Sequence, residues 1–258
     1  MLRFGNVNRI VIALFCLLLL TSYWFPIPVY VYGIIAFIWF ALTVFGSFFI
    51  QWNYHLTSYH KNKKIEENKV AITFDDGPHP EFTPQVLELL EKYNAKATFF
   101  CVGKEIKEHQ AIVSTILEKG HTIGNHTYSH TRNFGFLSTE KVKQELEETN
   151  THVNAVFNKN MRLYRPAFGV TNPRIKQAVK DLGLTSIGWS VRSLDTTKRT
   201  KNMVVRRITK NLKKGDIILL HDTSAKSVAV LEQLLLFLQQ KKMQSITVNK
   251  LLDIVAYE

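Results

Sequence analysis

From Ile10 to Ile50 the chain has no charged residue. A stretch of 41 uncharged residues would need a very large core around it, so an ordinary soluble helical hairpin is excluded. Cysteine is also scarce. Cys16 lies in the apolar N-terminal stretch and Cys101 ends an apolar run, so they cannot pair, and a disulfide framework is excluded. Acids are few: 21 Asp and Glu face 33 Lys and Arg, for a net charge of +12. Between Lys159 and Lys214 the only acids are Asp181 and Asp195, against 15 Lys or Arg. Such a basic surface points to an anionic partner, either a lipid surface or an acidic glycan. No nucleic-acid recognition motif accompanies the charge, so nucleic acid is not an expected partner. Internal repeats and low-complexity segments are absent as well.

Two apolar runs fill the N-terminal fifth, Ile10–Trp24 and Val29–Ile50, parted by Pro26 and Pro28. A membrane-spanning helix takes about 20 apolar residues. Tyr23, Trp24, Tyr30 and Tyr32 flank the turn where an interfacial aromatic belt would sit. The expectation is a membrane anchor over residues 1–50, with helices at about 10–25 and 29–50 and membrane lipid as its partner. A cleaved signal peptide is the rival, but Thr21–Phe25 offers no small-x-small cleavage site and a second apolar run follows.

Residues 51–68 are polar and read as a linker. A single domain over 69–258 follows, alternating strand-like and helix-like segments. Val70–Phe74, Ala97–Val102, Thr122–Asn125, Leu163–Arg165, Thr185–Trp189, Ile217–Leu220 and Ile246–Val248 read as strands. The helices expected between them include Pro84–Tyr93, Glu140–Phe157 and Ser227–Gln239. Asn249 is expected to cap a short last helix. Strands alternating with helices argue for an α/β fold, a closed or nearly closed (β/α) barrel with its site at the C-terminal strand ends.

Polar clusters follow five of these strands: Thr73-Phe74-Asp75-Asp76-Gly77, His126-Thr127-Tyr128-Ser129-His130, Arg165-Pro166-Ala167-Phe168-Gly169, Trp189–Asp195 and His221-Asp222. His126 and His130, four apart, are expected on one helical turn. With one carboxylate they make an open three-ligand site of the kind catalytic zinc uses, and the same set suits cobalt, manganese or iron. The second carboxylate of the Asp75-Asp76 pair is then free to serve as general base. His221, at a strand end, is placed to protonate a leaving nitrogen, with Asp195 holding its other ring nitrogen. Arg165 is placed to orient the free carboxylate.

These blocks resemble the polysaccharide deacetylases with a NodB-like domain (carbohydrate esterase family four). The resemblance covers about 69–255, and the Thr-Phe-Asp-Asp-Gly and His-Thr-x-x-His blocks carry it. It implies a distorted (β/α) barrel, one divalent metal ion with zinc the first expectation, and hydrolysis of N-acetyl or O-acetyl groups on a carbohydrate. By motif match, Asp75 is the implied base and Asp76, His126 and His130 the metal ligands. His221 is the implied acid and Asp195 its partner, and Arg165 falls in the third block. Phe168 supplies an oxyanion-binding N–H, and Trp189 opens the block that forms the substrate wall. Arg192 stands where many relatives have Asp, and Thr196 where they have Trp. The alternatives are a deacetylase of a lipid-linked sugar and an idle, membrane-tethered glycan-binding protein. No obligate protein partner is implied.

Arg3, Arg9 and Lys61, Lys63 and Lys64 flank the two apolar runs, a pattern that favours both ends in the cytoplasm. The resemblance implies an exported glycan, so the catalytic domain is expected on the extracytoplasmic face of a two-span anchor.

Overall fold

The computed structural model describes residues 2–258. Helices α1 (Phe4–Thr21) and α2 (Val29–Phe48) form the N-terminal hairpin. Both are long and apolar enough to cross a membrane, and few of their residues are buried in the protein. Tyr23, Trp24 and Tyr30 are exposed at the turn. α1 starts six residues before the apolar run, and its entry is fixed by Phe4 N–H donating to the Tyr54 carbonyl at 2.9 Å.

The remainder is a curled parallel sheet wrapped in helices. β1 (Lys69–Asp75) leads through α3 (Phe82–Lys92) to β2 (Ala97–Cys101). The short helices α4 (Gly103–Glu108) and α5 (Gln110–Glu118) precede β3 (Thr122–Asn125). The long helix α6 (Thr139–Phe157) leads to β4 (Leu163–Tyr164), and α7 (Pro173–Asp181) to β5 (Thr185–Ser186). β6 (Val191–Arg192), α8 (Lys201–Thr209) and β7 (Ile217–His221) follow. The chain closes with α9 (Ala225–Gln240), β8 (Gln244–Ser245) and α10 (Val248–Leu252). The strand order is β5-β4-β3-β2-β1-β7-β6, with β8 pairing the start of β1.

Local chemistry explains the helix starts. Ser138, Asn172, Thr200 and Ser224 each accept a backbone N–H three residues on, as N-caps do, and Pro173 occupies the first turn of α7. β1 is buried from Val70 to Asp75 because both of its faces are covered. Ile72 and Phe74 enter the core beneath the helices, with Leu90, Leu231 and Leu234. Thr73 and Asp75 alternate to the barrel interior, as the two-residue period of a strand requires.

The sheet curls without closing, since β5 and β6 do not pair with each other. The polar stretch expected as a linker lies in this opening. Tyr59 bridges Ile187 in parallel and Lys61 bridges Asp216 antiparallel. Tyr54, His55, Leu56 and Ser58 are buried. A free linker would leave these groups in water, whereas here their burial and pairing hold the segment to the domain. The last strand also differs from expectation. It lies at Gln244–Ser245, and Val248 begins α10 with Thr247 rather than Asn249 as the cap residue. A two-residue strand carries too little alternation to be read from sequence.

Candidate active site

Parallel pairing sets the floor of the site. Asp75 is in register with His221 on β7 and with Phe100 on β2, so Asp75 and His221 emerge side by side at the C-terminal strand ends. The chain then turns sharply. Asp76 adopts a left-handed conformation (φ 74°), which swings its carboxylate away from that of Asp75.

Asp75 is buried against Arg165, which has no exposed surface at all. Arg165 Nη1 donates to Asp75 Oδ1 at 2.8 Å and to the Thr73 hydroxyl at 2.6 Å. Its remaining donors reach the carbonyls of Ile187 and Gly188, and its guanidinium stacks 4.1 Å from the Phe100 ring centre. Burial works to lower the pKa of Arg165, and Asp75 opposes it. Asp75 Oδ2 is left facing the histidines, 4.0 Å from His126 Nε2.

His126 and His130 are not on a helix. They sit in a loop with left-handed residues at Thr127 and His130, and their rings come within 4.9 Å centre to centre. Glu145 on α6 holds this loop by accepting the Tyr128 and Ser129 N–H groups and the Ser129 hydroxyl. His126 Nδ1 lies 2.9 Å from the Arg165 carbonyl. A carbonyl only accepts, so Nδ1 carries a proton and Nε2 is the nitrogen turned to the cleft. Asp76 Oδ1 lies 3.3 Å from His126 Nε2 and 3.4 Å from His130 Nε2. His130 Nε2 is buried without a hydrogen-bond partner.

Asp76, His126 and His130 therefore fit a divalent metal ion. Their three donor atoms lie within 4.8 Å of one another. Ligands about 2.0–2.2 Å from a tetrahedral ion would stand about 3.3–3.6 Å apart, the spacing found here between carboxylate and imidazoles. The unpartnered Nε2 is a further sign, because a buried nitrogen without a partner is costly unless something binds it. Burial opposes the Asp76 charge, but His126, His221 and His130 outweigh it and hold its carboxyl far below the usual carboxylate range.

His221 Nδ1 is bonded to Asp195 Oδ1 at 2.9 Å, and the His221 N–H to Asp195 Oδ2 at 2.9 Å. Ser193 and Ser227 hydroxyls donate to the same carboxylate at 2.8 and 2.9 Å. Burial disfavours the charged ring, yet Asp195, followed by Asp75 and Asp76, raises the His221 pKa to about 9. His221 Nε2 points at the metal-ligand cluster, 3.8 Å from Asp76 Oδ2.

Phe168 has a left-handed backbone (φ 57°) and a half-exposed ring lying 4.5 Å from His130. Gly169 beside it, also left-handed, has no space for a side chain, since a Cβ would lie 2.5 Å from the Trp189 ring. Trp189 is largely buried against Ile50 and Leu219 and forms the wall of the cleft. All nine residues expected at the site thus meet around it, and seven of them line a cleft of about 280 Å³; Arg165 and Asp195 stand behind. Thr73, Glu145, Ser193, Ser227 and Ile50 were not singled out from sequence. Only Thr73 and Ser193 carried a signal, as members of strand-end blocks.

The Asp195 contact predicts a pH effect. A proton-donating His221 works below its pKa and is lost as pH rises through about 9. Removing the carboxylate lowers that pKa towards the ordinary histidine value, about 6.5. Asp195→Asn is therefore expected to move the alkaline limb of the pH–rate profile to lower pH. An alkaline limb that stays in place would show that Asp195 does not govern His221.

The comparisons agree with this geometry. A family model described as polysaccharide deacetylase matches residues 62–187. A peptidoglycan-N-acetylglucosamine deacetylase of Bacillus cereus is 35% identical over 199 residues, 74% of this chain and 89% of the relative. The solved peptidoglycan deacetylase PdaC from Bacillus subtilis superposes with a TM-score of 0.69 at 28% identity, covering 73% of this chain and 91% of that one. A pseudoenzyme of carbohydrate esterase family four from Bacillus anthracis superposes with a TM-score of 0.67 at 26% identity, covering 74% of this chain and 68% of that one. In sequence and in fold, this chain belongs to the polysaccharide deacetylase family.

Proposed function

We propose that the chain is a metal-dependent hydrolase of carbon–nitrogen bonds that removes N-acetyl groups, with O-acetyl as the variant chemistry, from a glycan. One observation carries this reading. The Asp75–Arg165 pair, the Asp76–His126–His130 donor set and the His221–Asp195 pair converge on a single cleft.

Asp76, His126 and His130 would hold the ion, with zinc the first expectation and cobalt, manganese or iron as alternatives. When bound, it supplies Lewis-acid polarisation of the acetyl carbonyl and acidifies water. Arg165 fixes Asp75 so that Oδ2 faces the cleft and takes a proton from the attacking water. The Phe168 backbone N–H donates to the oxygen on which negative charge develops. His221 Nε2 gives its proton to the departing nitrogen, with Asp195 keeping the ring charged and oriented. Water adds to the acyl carbon, the carbon–nitrogen bond breaks, and acetate and a free amine leave. Trp189 forms the wall against which the sugar rests.

In this reading residues 1–50 anchor the protein by two spans and 69–258 form the catalytic domain, which lies on the extracytoplasmic face. Alkaline phosphatase and, separately, a fluorescent protein fused after Glu258 test that side. Phosphatase activity is expected, and fluorescence without it would reverse the orientation.

A second reading, an idle glycan-binding protein, is favoured by the likeness to a pseudoenzyme. Acetate release from a panel of acetylated glycans with added zinc separates the two. Release that disappears in Asp75→Asn supports the hydrolase, and binding without release supports the idle form.

A further inference from the structure

The catalytic cleft is fastened directly to the end of a membrane-length helix. Gln51, three residues past α2, donates from Nε2 to the Trp189 carbonyl at 2.9 Å and to that of Ser190 at 3.3 Å. Ile50 is buried against the cleft residues Trp189 and Leu219. On the other flank, Thr171 N–H donates to the Ser47 carbonyl inside α2 at 2.9 Å, just beyond the Phe168–Gly169 wall. Phe49 and Trp52 stack exposed at the same level, as interfacial aromatics do.

The segment that follows gives no reach. Eighteen residues, 51–68, could extend about 60 Å if free. Instead Ser58, Tyr59, Lys61 and Asn62 are pinned to the domain by the Ser186 hydroxyl, by the bridges to Ile187 and Asp216, and by the Leu251 carbonyl. The domain is therefore held at the bilayer surface, where the headgroup layer is only about 5–8 Å deep.

A basic groove of about 960 Å³ adjoins the cleft. Arg192 lines both, and Ser190, which Gln51 touches, lines the groove. Arg206, Arg207, Lys210 and Lys213 add their charges, and Asp216, the only acid lining it among the described residues, is already paired with Lys61 at 2.9 Å. Such an array suits a phosphate or diphosphate, which guanidinium groups grip by charge-assisted hydrogen bonds.

We infer that the substrate is an acetylated sugar carried on a membrane lipid through a phosphate or diphosphate, with the sugar in the cleft and the phosphate in the basic groove. This rests on the deacetylase reading above and narrows its substrate from glycans in general to those still held in the bilayer.

The test uses the full chain, zinc-loaded, in phosphatidylcholine vesicles, so that no anionic headgroup competes for the groove. Acetate release is compared for N-acetylglucosamine joined by a diphosphate to a synthetic isoprenoid chain, for the same sugar as a free oligosaccharide, and for insoluble peptidoglycan. The lipid-linked sugar is expected to give a kcat/KM at least about tenfold above the others, the scale of one or two hydrogen bonds to a charged group. In Arg206→Gln/Lys210→Gln, two exposed changes, that preference is expected to shrink by about tenfold, chiefly through KM. Equal rates on lipid-linked and free sugar, or a preference for peptidoglycan, would overturn the inference while leaving the deacetylase reading intact. No release from any substrate would overturn both.

Discussion

Asp75→Asn and His221→Ala are each expected to lower turnover at least about 100-fold, the usual scale of general acid–base catalysis. Asparagine keeps the shape of Asp75 and can still accept from Arg165, but it cannot take a proton from water. Alanine at 221 removes the donor for the leaving nitrogen. Neither side chain belongs to the donor set Asp76, His126 and His130, so bound metal is expected to change little. Steady-state rates with metal analysis on the same samples check this. A near-normal rate in either variant removes that residue from its assigned role.

Arg165→Met is expected to be costly in stability as well as rate. The fully buried wild-type guanidinium satisfies Asp75, Thr73 and two carbonyls. Removing one partner of a buried ion pair costs about 3–5 kcal/mol, because the other charge stays buried and alone. For a domain of this size that corresponds to a melting temperature lower by roughly 10 °C. Arg165→Lys is expected to recover part of the stability, since a lysine restores the charge without the planar fork. Thermal unfolding of the three proteins measures the effect. A loss below about 1 kcal/mol in Arg165→Met would mean that Asp75 is solvated or protonated when the arginine is gone.

The strand-end blocks were legible in the sequence because short apolar runs ending in Asp, His or Arg break the burial rule at one point each. Parallel register then brought those points together, as with Asp75 and His221. His126 and His130 do come together, but not for the reason their spacing suggested. A four-residue interval suits a helix turn, but left-handed residues and Glu145 close the loop instead. The burial of Arg165 could not be read, because it depends on Phe100, Ile187 and Gly188 arriving from other strands. Ser227 and Glu145 act across 32 and 16 residues of chain, and nothing local marks them. The docked stretch 51–68 was hidden by its charges. Single-residue bridges at Tyr59 and Lys61 leave no periodic trace, so composition alone suggested a linker.

In the proposed reading a bound ion would tie this site to its chemistry, and one titration tests that link. The full chain is stripped of metal, and zinc is added stepwise while bound metal and acetate release from an acetylated chitooligosaccharide are followed together. Both should rise in parallel and saturate at about one ion per chain, as one three-ligand site requires. Asp76→Ala should lose both. Undiminished acetate release from the metal-free chain, or zinc binding that survives in Asp76→Ala with activity intact, would contradict a deacetylase built on Asp76, His126 and His130.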